Sequence, residues 1–182
     1  MKRGEKTPDD LDRPDGNSLE ENYQLHDKAE KIVAQRIEVT DFRLEPWGID
    51  MRGDDGEDGI IYDDKMDFKV YDSDDNLVGL LDVKSKSDHK YMGTFNKRHY
   101  DHYVEHATEF DVPTFVVMFH IANDNVQDEF AFEVHTSGWV HDSNGAAVDN
   151  FPDNNKAVLI PHDQRTDWRD VVHKFNWERH GF

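Results

Sequence analysis

From Ser18 onward the chain reads as a helix: Leu25, Ala29, Ile32, Val33 and Ile37 recur at spacings of three and four, and Ser18 with Glu21 makes a capping box. The apolar stripe centres near Ala29 and Val33, leaving His26 and Glu30 at its edge. A carboxylate there faces either plain solvent or whatever cleft borders the core. Past Lys65 the period drops to two. Met66, Phe68 and Val70 alternate with Asp67, Lys69 and Tyr71, a polar turn follows, and a second arm ends in LLDVKSK. On that arm Asp82 and Lys84 share one face while Leu81 and Val83 point into a core. With the turn centred on Asp74 and Asp75, facing residue numbers sum to 149 and Asp67 stands opposite Asp82. A slip of one residue places Leu81 there instead and flips one set of side chains.

The remaining pattern predicts a helix over Phe95 to Phe110 with Tyr100, Tyr103, Val104 and Ala107 as its core stripe. After Pro113, TFVVMFHI is apolar at both alternating positions, as in a strand buried inside a sheet, with His120 as a polar residue at its end. Further strands are predicted at Phe130 to His135 and Ala157 to Ile160, and a last helix from about Thr166 carries Trp168, Val171, Val172 and Phe175. Trp168 and Trp177 read as packing residues. Residues 41–64, rich in Gly and Asp, predict a loop or a short strand pair, and 137–155 a long loop or weak hairpin. Residues 1–18 have no apolar periodicity and read as a flexible acidic tail before one domain over 19–182.

Composition narrows the class. No run approaches the roughly 18 apolar residues of a membrane span, so a soluble protein with no membrane partner is expected, and the basic N-terminus lacks the apolar stretch of a secretory signal. There is no cysteine, which excludes disulfides and thiolate metal sites. Forty acidic against 21 basic residues give a net charge of −19, and 28 of the acids are Asp spread along the chain. That pattern fits the cytoplasm of a high-salt cell, or a virus of such a cell, with an ordinary acidic protein as the alternative. A charge of −19 argues against nucleic acid as a partner at ordinary salt, but counterion release is largely spent at molar salt. Local charge then matters more. Lys84, Lys86, Lys90, Lys97 and Arg98 face only Asp88, a local +4.

Candidate chemistry follows from the hairpin. Two like charges set opposite one another are destabilising, so Asp67 beside Asp82 calls for a divalent cation or a proton. The turn residues Asp72, Asp74 and Asn76 resemble the start of an EF-hand loop, but Leu77 and Val83 replace its glycine and its bidentate Glu. Asp54, Asp55, Glu57 and Asp58 read as a hydrated acidic loop rather than a cation loop. On the 95–110 helix, Arg98, His99, His102 and His106 form a polar band; the three histidines have zinc-ligand spacing, although solvent or a phosphate backbone is the favoured neighbour.

A helix with Glu30, a strand with Asp67, a tight turn, a strand ending Asp82-Val83-Lys84, a helix and a buried strand: over about Ser18 to Ile121 this order resembles the PD-(D/E)XK nuclease superfamily of restriction endonucleases, Holliday junction resolvases and RecB-like exonucleases. The resemblance implies an α/β fold with a restriction endonuclease-like core, a mixed central β-sheet flanked by α-helices. It also implies a metal-dependent deoxyribonuclease. Asp67, Asp82, Glu30 and the Val83 carbonyl would hold Mg²⁺ or Mn²⁺, and Lys84 would orient or help deprotonate the attacking water. Lys86, Lys90, Lys97, Arg98, His99, His102 and Tyr103 would contact DNA. Members act as monomers or as homodimers. His99 stands where RecB-like members carry a Gln, and Met66 where the superfamily pattern has Pro. Two other classes stay open: an inactive nucleic-acid-binding or interaction module on the same fold, and an acidic structural protein.

Overall fold

The computed structural model describes residues 19–48, 50–51, 61–62, 65–134, 149–150 and 156–180. The proposed tail, Ser18 of the capping box, the acidic residues 54–58 and most of the 137–155 segment lie outside them. In chain order the elements are α1 (Leu19–Glu38), β1 (Arg43–Pro46), β2 (Asp50–Met51), β3 (Ile61–Tyr62), β4 (Phe68–Tyr71), β5 (Leu77–Lys86), β6 (Thr94–Asn96), α2 (Lys97–Phe110), β7 (Thr114–Ala122), β8 (Asn125–Glu133), β9 (Asp149–Asn150), β10 (Lys156–Leu159) and α3 (Trp168–His180).

A five-stranded sheet, ordered β1-β4-β5-β7-β8, runs through the middle. It is mixed, as the resemblance implies: β5 and β7 pair in parallel, while β1 with β4, β4 with β5 and β7 with β8 are antiparallel. Parallel neighbours need a long crossover, and α2 lies within it. The alternation of β7 supplies both faces of the core. Phe115, Val117, Phe119 and Ile121 join Ala29, Val33 and Ile37 of α1 and Val171 and Phe175 of α3 on one side. Val116 and Met118 join Tyr100, Tyr103 and Ala107 of α2 on the other, together with Val158 and Ile160 beside the small β6-β10-β9 sheet. A strand apolar at every position is one covered on both faces.

The hairpin has the expected register where it matters. Phe68 faces Leu81, Lys69 faces Leu80 and Val70 faces Gly79, each pair summing to 149, before a bulge shifts Tyr71 onto Leu77. In the turn, the buried Asp72 carboxylate accepts the Asp74 and Asn76 amides, each at 2.9 Å, and Asp75 takes φ 60°. That carboxylate is committed to its own backbone. Met66 departs from the expected alternation: it precedes β4 and packs in the α2-side core, away from Val70.

Three boundaries also differ. Phe95 and Asn96 belong to β6, and α2 starts at Lys97 because the Asn96 side chain accepts the Arg98 amide at 2.9 Å. Strand β8 begins at Asn125, not Phe130, turning at Asn123 and Asp124, both with positive φ. Residues 125–129 are exposed, so they carry no apolar alternation to read. Residues 41–64 contain the short β2-β3 pair but also β1, an edge strand of the main sheet. Trp168 is partly buried as read from its spacing, whereas Trp177 is 54% exposed. No helix among the described residues is long and apolar enough to cross a membrane.

Gly79 marks the tightest contact between α3 and the sheet. A Cβ there would lie 2.1 Å from the Phe175 ring, which is held edge-on by Phe42 and Phe115. Gly79→Ala is expected to cost about 1–3 kcal/mol in chemical denaturation, with partial recovery in the Gly79→Ala, Phe175→Leu pair. An unchanged midpoint in the single variant would show that the ring is free to move.

Candidate metal centre

The centre forms where β4 begins, β5 passes and α1 crosses them. Ala29 and Val33 of α1 are fully buried in the same core cluster as Leu81 and Val83 of β5. That packing brings the edge of the α1 stripe, His26 and Glu30, to the mouth of the hairpin. His26 Nε2 lies 3.3 Å from Glu30 Oε1 and 3.8 Å from Asp67 Oδ1. Asp67 sits one residue before β4, where its backbone carbonyl accepts the Trp47 amide at 2.8 Å and its Oδ2 accepts the Val83 amide at 2.7 Å. The carboxylate takes the place a strand carbonyl would occupy.

Asp82 is 1% exposed, and its Oδ2 lies 2.7 Å from Lys84 Nζ. The buried carboxylate is thus ion-paired with the Lys84 ammonium. Behind the pair stands Tyr103 of α2, 2% exposed, with Lys84 Nζ 5.6 Å from its ring.

The electrostatics follow from burial. Burial and then the charge of Asp82 push the Asp67 carboxyl up from 3.8 to about 8, against the pull of Lys84, His26 and the Val83 amide. Burial alone would lower the Lys84 ammonium, but Asp82, Tyr103 and Asp67 together hold it well above its ordinary 10.5. The Tyr103 phenol is raised, first by burial and next by Asp82. Burial also opposes the His26 imidazolium, yet Glu30 and Asp67 leave it raised above 6.5. A half-buried Asp67 carboxyl beside the buried Asp82 carboxylate gives a set of hard oxygen donors whose chemistry fits a divalent cation.

Five of the residues singled out in the sequence thus converge: Glu30, Asp67, Asp82, Val83 and Lys84. His26 joins them, and the sign of it was its i, i+4 relation to Glu30 on one edge of the helix stripe. Among the described residues, the group of three or more metal-capable side chains is His26, Glu30 and Asp67. The α2 histidines form no such group, which removes the zinc reading of that band. His106 packs against Trp47 with ring centroids 4.8 Å apart, while His102 meets Glu105 at 3.2 Å.

The basic residues after β5 are dispersed. Lys90 pairs with Asp88 at 3.2 Å and Lys97 with Asp101 at 2.6 Å, and Arg98 is exposed. Lys86 faces His120 on β7, and His99 lies over Tyr103 at 6.3 Å between centroids. The local +4 counted along the chain is therefore partly neutralised by Asp101 of α2.

No family model and no curated protein matches the chain. Among solved structures, it is similar to a Holliday junction resolvase from the archaeal hyperthermophile Archaeoglobus fulgidus. The match has a TM-score of 0.47 and 9% identity, and covers 80% of this chain and 98% of that one.

Asp67 couples the centre to stability. The unfolded chain ionises this carboxyl near 3.8, the fold only near 8, so metal-free stability is lost as pH rises through that window and the loss is complete above it. Asp67→Asn keeps an acceptor for the Val83 amide and removes the charge. In chelator, its advantage over wild type should be near zero at pH 4 and grow to the order of 3 kcal/mol at pH 9. Denaturant titrations at both pH values check this, and a difference that does not vary with pH would contradict it.

Proposed function

We propose that the protein is a divalent-cation-dependent nuclease that hydrolyses phosphodiester bonds in DNA. The observation that carries this reading is the buried Asp82 carboxylate, ion-paired with the Lys84 ammonium at 2.7 Å and set against the raised Asp67 carboxyl. Buried carboxylates so arranged are costly unless a cation or a reaction uses them.

In this reading Asp67 and Asp82 hold Mg²⁺ or Mn²⁺, with Glu30 at the open side. The amide and carbonyl of one strand residue face the same edge, so the Val83 carbonyl faces the edge where its amide meets Asp67. When bound, the cation supplies Lewis acidity toward a phosphoryl oxygen and a more acidic water. Lys84, kept charged by Asp82 and backed by Tyr103, orients the water and neutralises charge on the phosphoryl oxygens. Water attacks in line with the leaving 3′ oxygen, and a 5′ phosphate results. The exposed Arg98, with Lys86, Lys90, Lys97, His99 and His102, provides the flanking phosphate contacts. Salt dependence should be shallow, because several of these cations already have acidic partners.

The test is cleavage of single-stranded, duplex and four-way-junction DNA at high salt with Mg²⁺ or Mn²⁺. Chelation should abolish cleavage, and the Asp82→Ala, Lys84→Ala double variant should lose about two to three orders of magnitude in rate. Equal activity in that double variant would sink the reading. Mass in solution at the same salt would decide between a monomer and a homodimer.

A further inference from the structure

Lys69 is a cation held on rings in a chain that carries 40 acids. Among the described residues its ammonium meets two aromatic side chains rather than a carboxylate, lying 4.9 Å from the Trp47 ring centroid and 4.8 Å from that of Phe110. Glu45, its cross-strand neighbour on β1, turns to Arg43 at 3.5 Å. Phe68 and Val70 belong to the α1-side core, so the alternation of β4 sends Lys69 to the α2 side, where Trp47 and Phe110 pack. Trp47 meets Phe110 at 5.3 Å and 86°, and His106 at 4.8 Å and 65°. Neither ring stacks flat on the indole. All four side chains are half-buried, so each keeps part of its surface in solvent.

This cluster adjoins the centre described above. The Trp47 amide donates to the Asp67 carbonyl at 2.8 Å, and Lys69 stands two residues beyond Asp67 on the same side of the strand, about 7 Å along it. An aromatic face beside a cation that no acid neutralises matches the chemistry of one nucleotide, whose base stacks while its phosphate takes the charge. We infer that Trp47, Lys69 and Phe110 form a nucleotide subsite that takes an unstacked base of single-stranded DNA beside the phosphodiester held at the centre. The inference rests on the nuclease reading of that centre and adds a substrate preference to it. On binding, the Lys69 ammonium moves from the rings to the phosphate, and the base takes its place over the indole. A base within a duplex is already stacked and paired, so the subsite favours unpaired DNA. Were the rings and Lys69 only the margin of the core, their substitution would change stability and leave that preference unmoved.

The experiment is equilibrium binding, in chelator and at several salt concentrations, of a short DNA single strand carrying 2-aminopurine at each position in turn, and of the same strand in duplex. Wild type should prefer the single strand and quench 2-aminopurine at one position as that base stacks. Trp47→Leu should weaken single-strand binding roughly tenfold, leave duplex binding unchanged and abolish the quench. Trp47→Phe keeps a ring and should restore most of both. Lys69→Gln should keep the quench but make the slope of log affinity against log salt shallower by about 0.7. If the strand binds Trp47→Leu and Lys69→Gln as it binds wild type, with the same quench and slope, the subsite is overturned and the nuclease reading stands. If these variants change self-association and not strand affinity, the surface belongs to a second copy and the inference falls. Loss of strand binding in the variants, with no cleavage by wild type in Mg²⁺ or Mn²⁺, would keep the subsite and end the nuclease reading. If no DNA binds wild type with or without those cations, both fall.

Discussion

The packing of β4 against β5 holds two carboxylates where neither would settle by itself. Leu80 and Leu81 are each fully buried on opposite faces of β5, so a one-residue slip would exchange the α1-side and α2-side cores at once. That cost fixes the pairing of Phe68 with Leu81, and Asp67 lies one residue beyond this last pair, its Oδ2 on the Val83 amide and its charge within reach of Asp82. The hydrophobic register thus enforces an electrostatic conflict. Its signs are the raised Asp67 carboxyl and the Lys84 ammonium held 2.7 Å from the buried Asp82.

Each neighbour of this conflict comes from a different element packed for another reason. Helix α1 is placed by Ala29, Val33 and Ile37, and only as a consequence does it present His26 and Glu30. Helix α2 is placed by Tyr100, Tyr103 and Ala107, and so backs Lys84 with an aromatic wall. The link between Pro46 and β4 is tied by the Trp47 and Gly48 amides, each 2.8 Å from a carbonyl of Asp67 or Met66. Asp67 is therefore held through both its backbone and its side chain. Within the site Glu30 is the more exposed carboxylate, at 32%, against 16% for Asp67 and 1% for Asp82.

The comparison of chain and fold is instructive where the two part. Periodicity located α1, the hairpin, β7 and α3 because each has an apolar face matched to its period. It failed for residues 125–129, where β8 pairs with β7 but runs exposed and carries no apolar alternation. It missed β1 for a related reason, since an edge strand of four residues, three of them exposed, carries almost no alternation. The charge count along 84–98 leaves out Asp101, which the α-helical repeat folds back onto Lys97.

By itself, then, the sequence determined the register and the cast: alternation made Leu81 and Val83 core residues, turn chemistry centred the hairpin, and Asp67, Asp82 and Lys84 had to share a face. The tertiary structure alone decided how they are used. Only the docking of α1 on the sheet could bring His26 into contact with Asp67 across 41 positions of chain, because that contact depends on a helix axis and a rotation that no local period encodes. Only tertiary packing could bury Asp82 to 1% exposure beside Lys84 and Tyr103. Pattern specifies which faces must be covered; what covers them sets the chemistry.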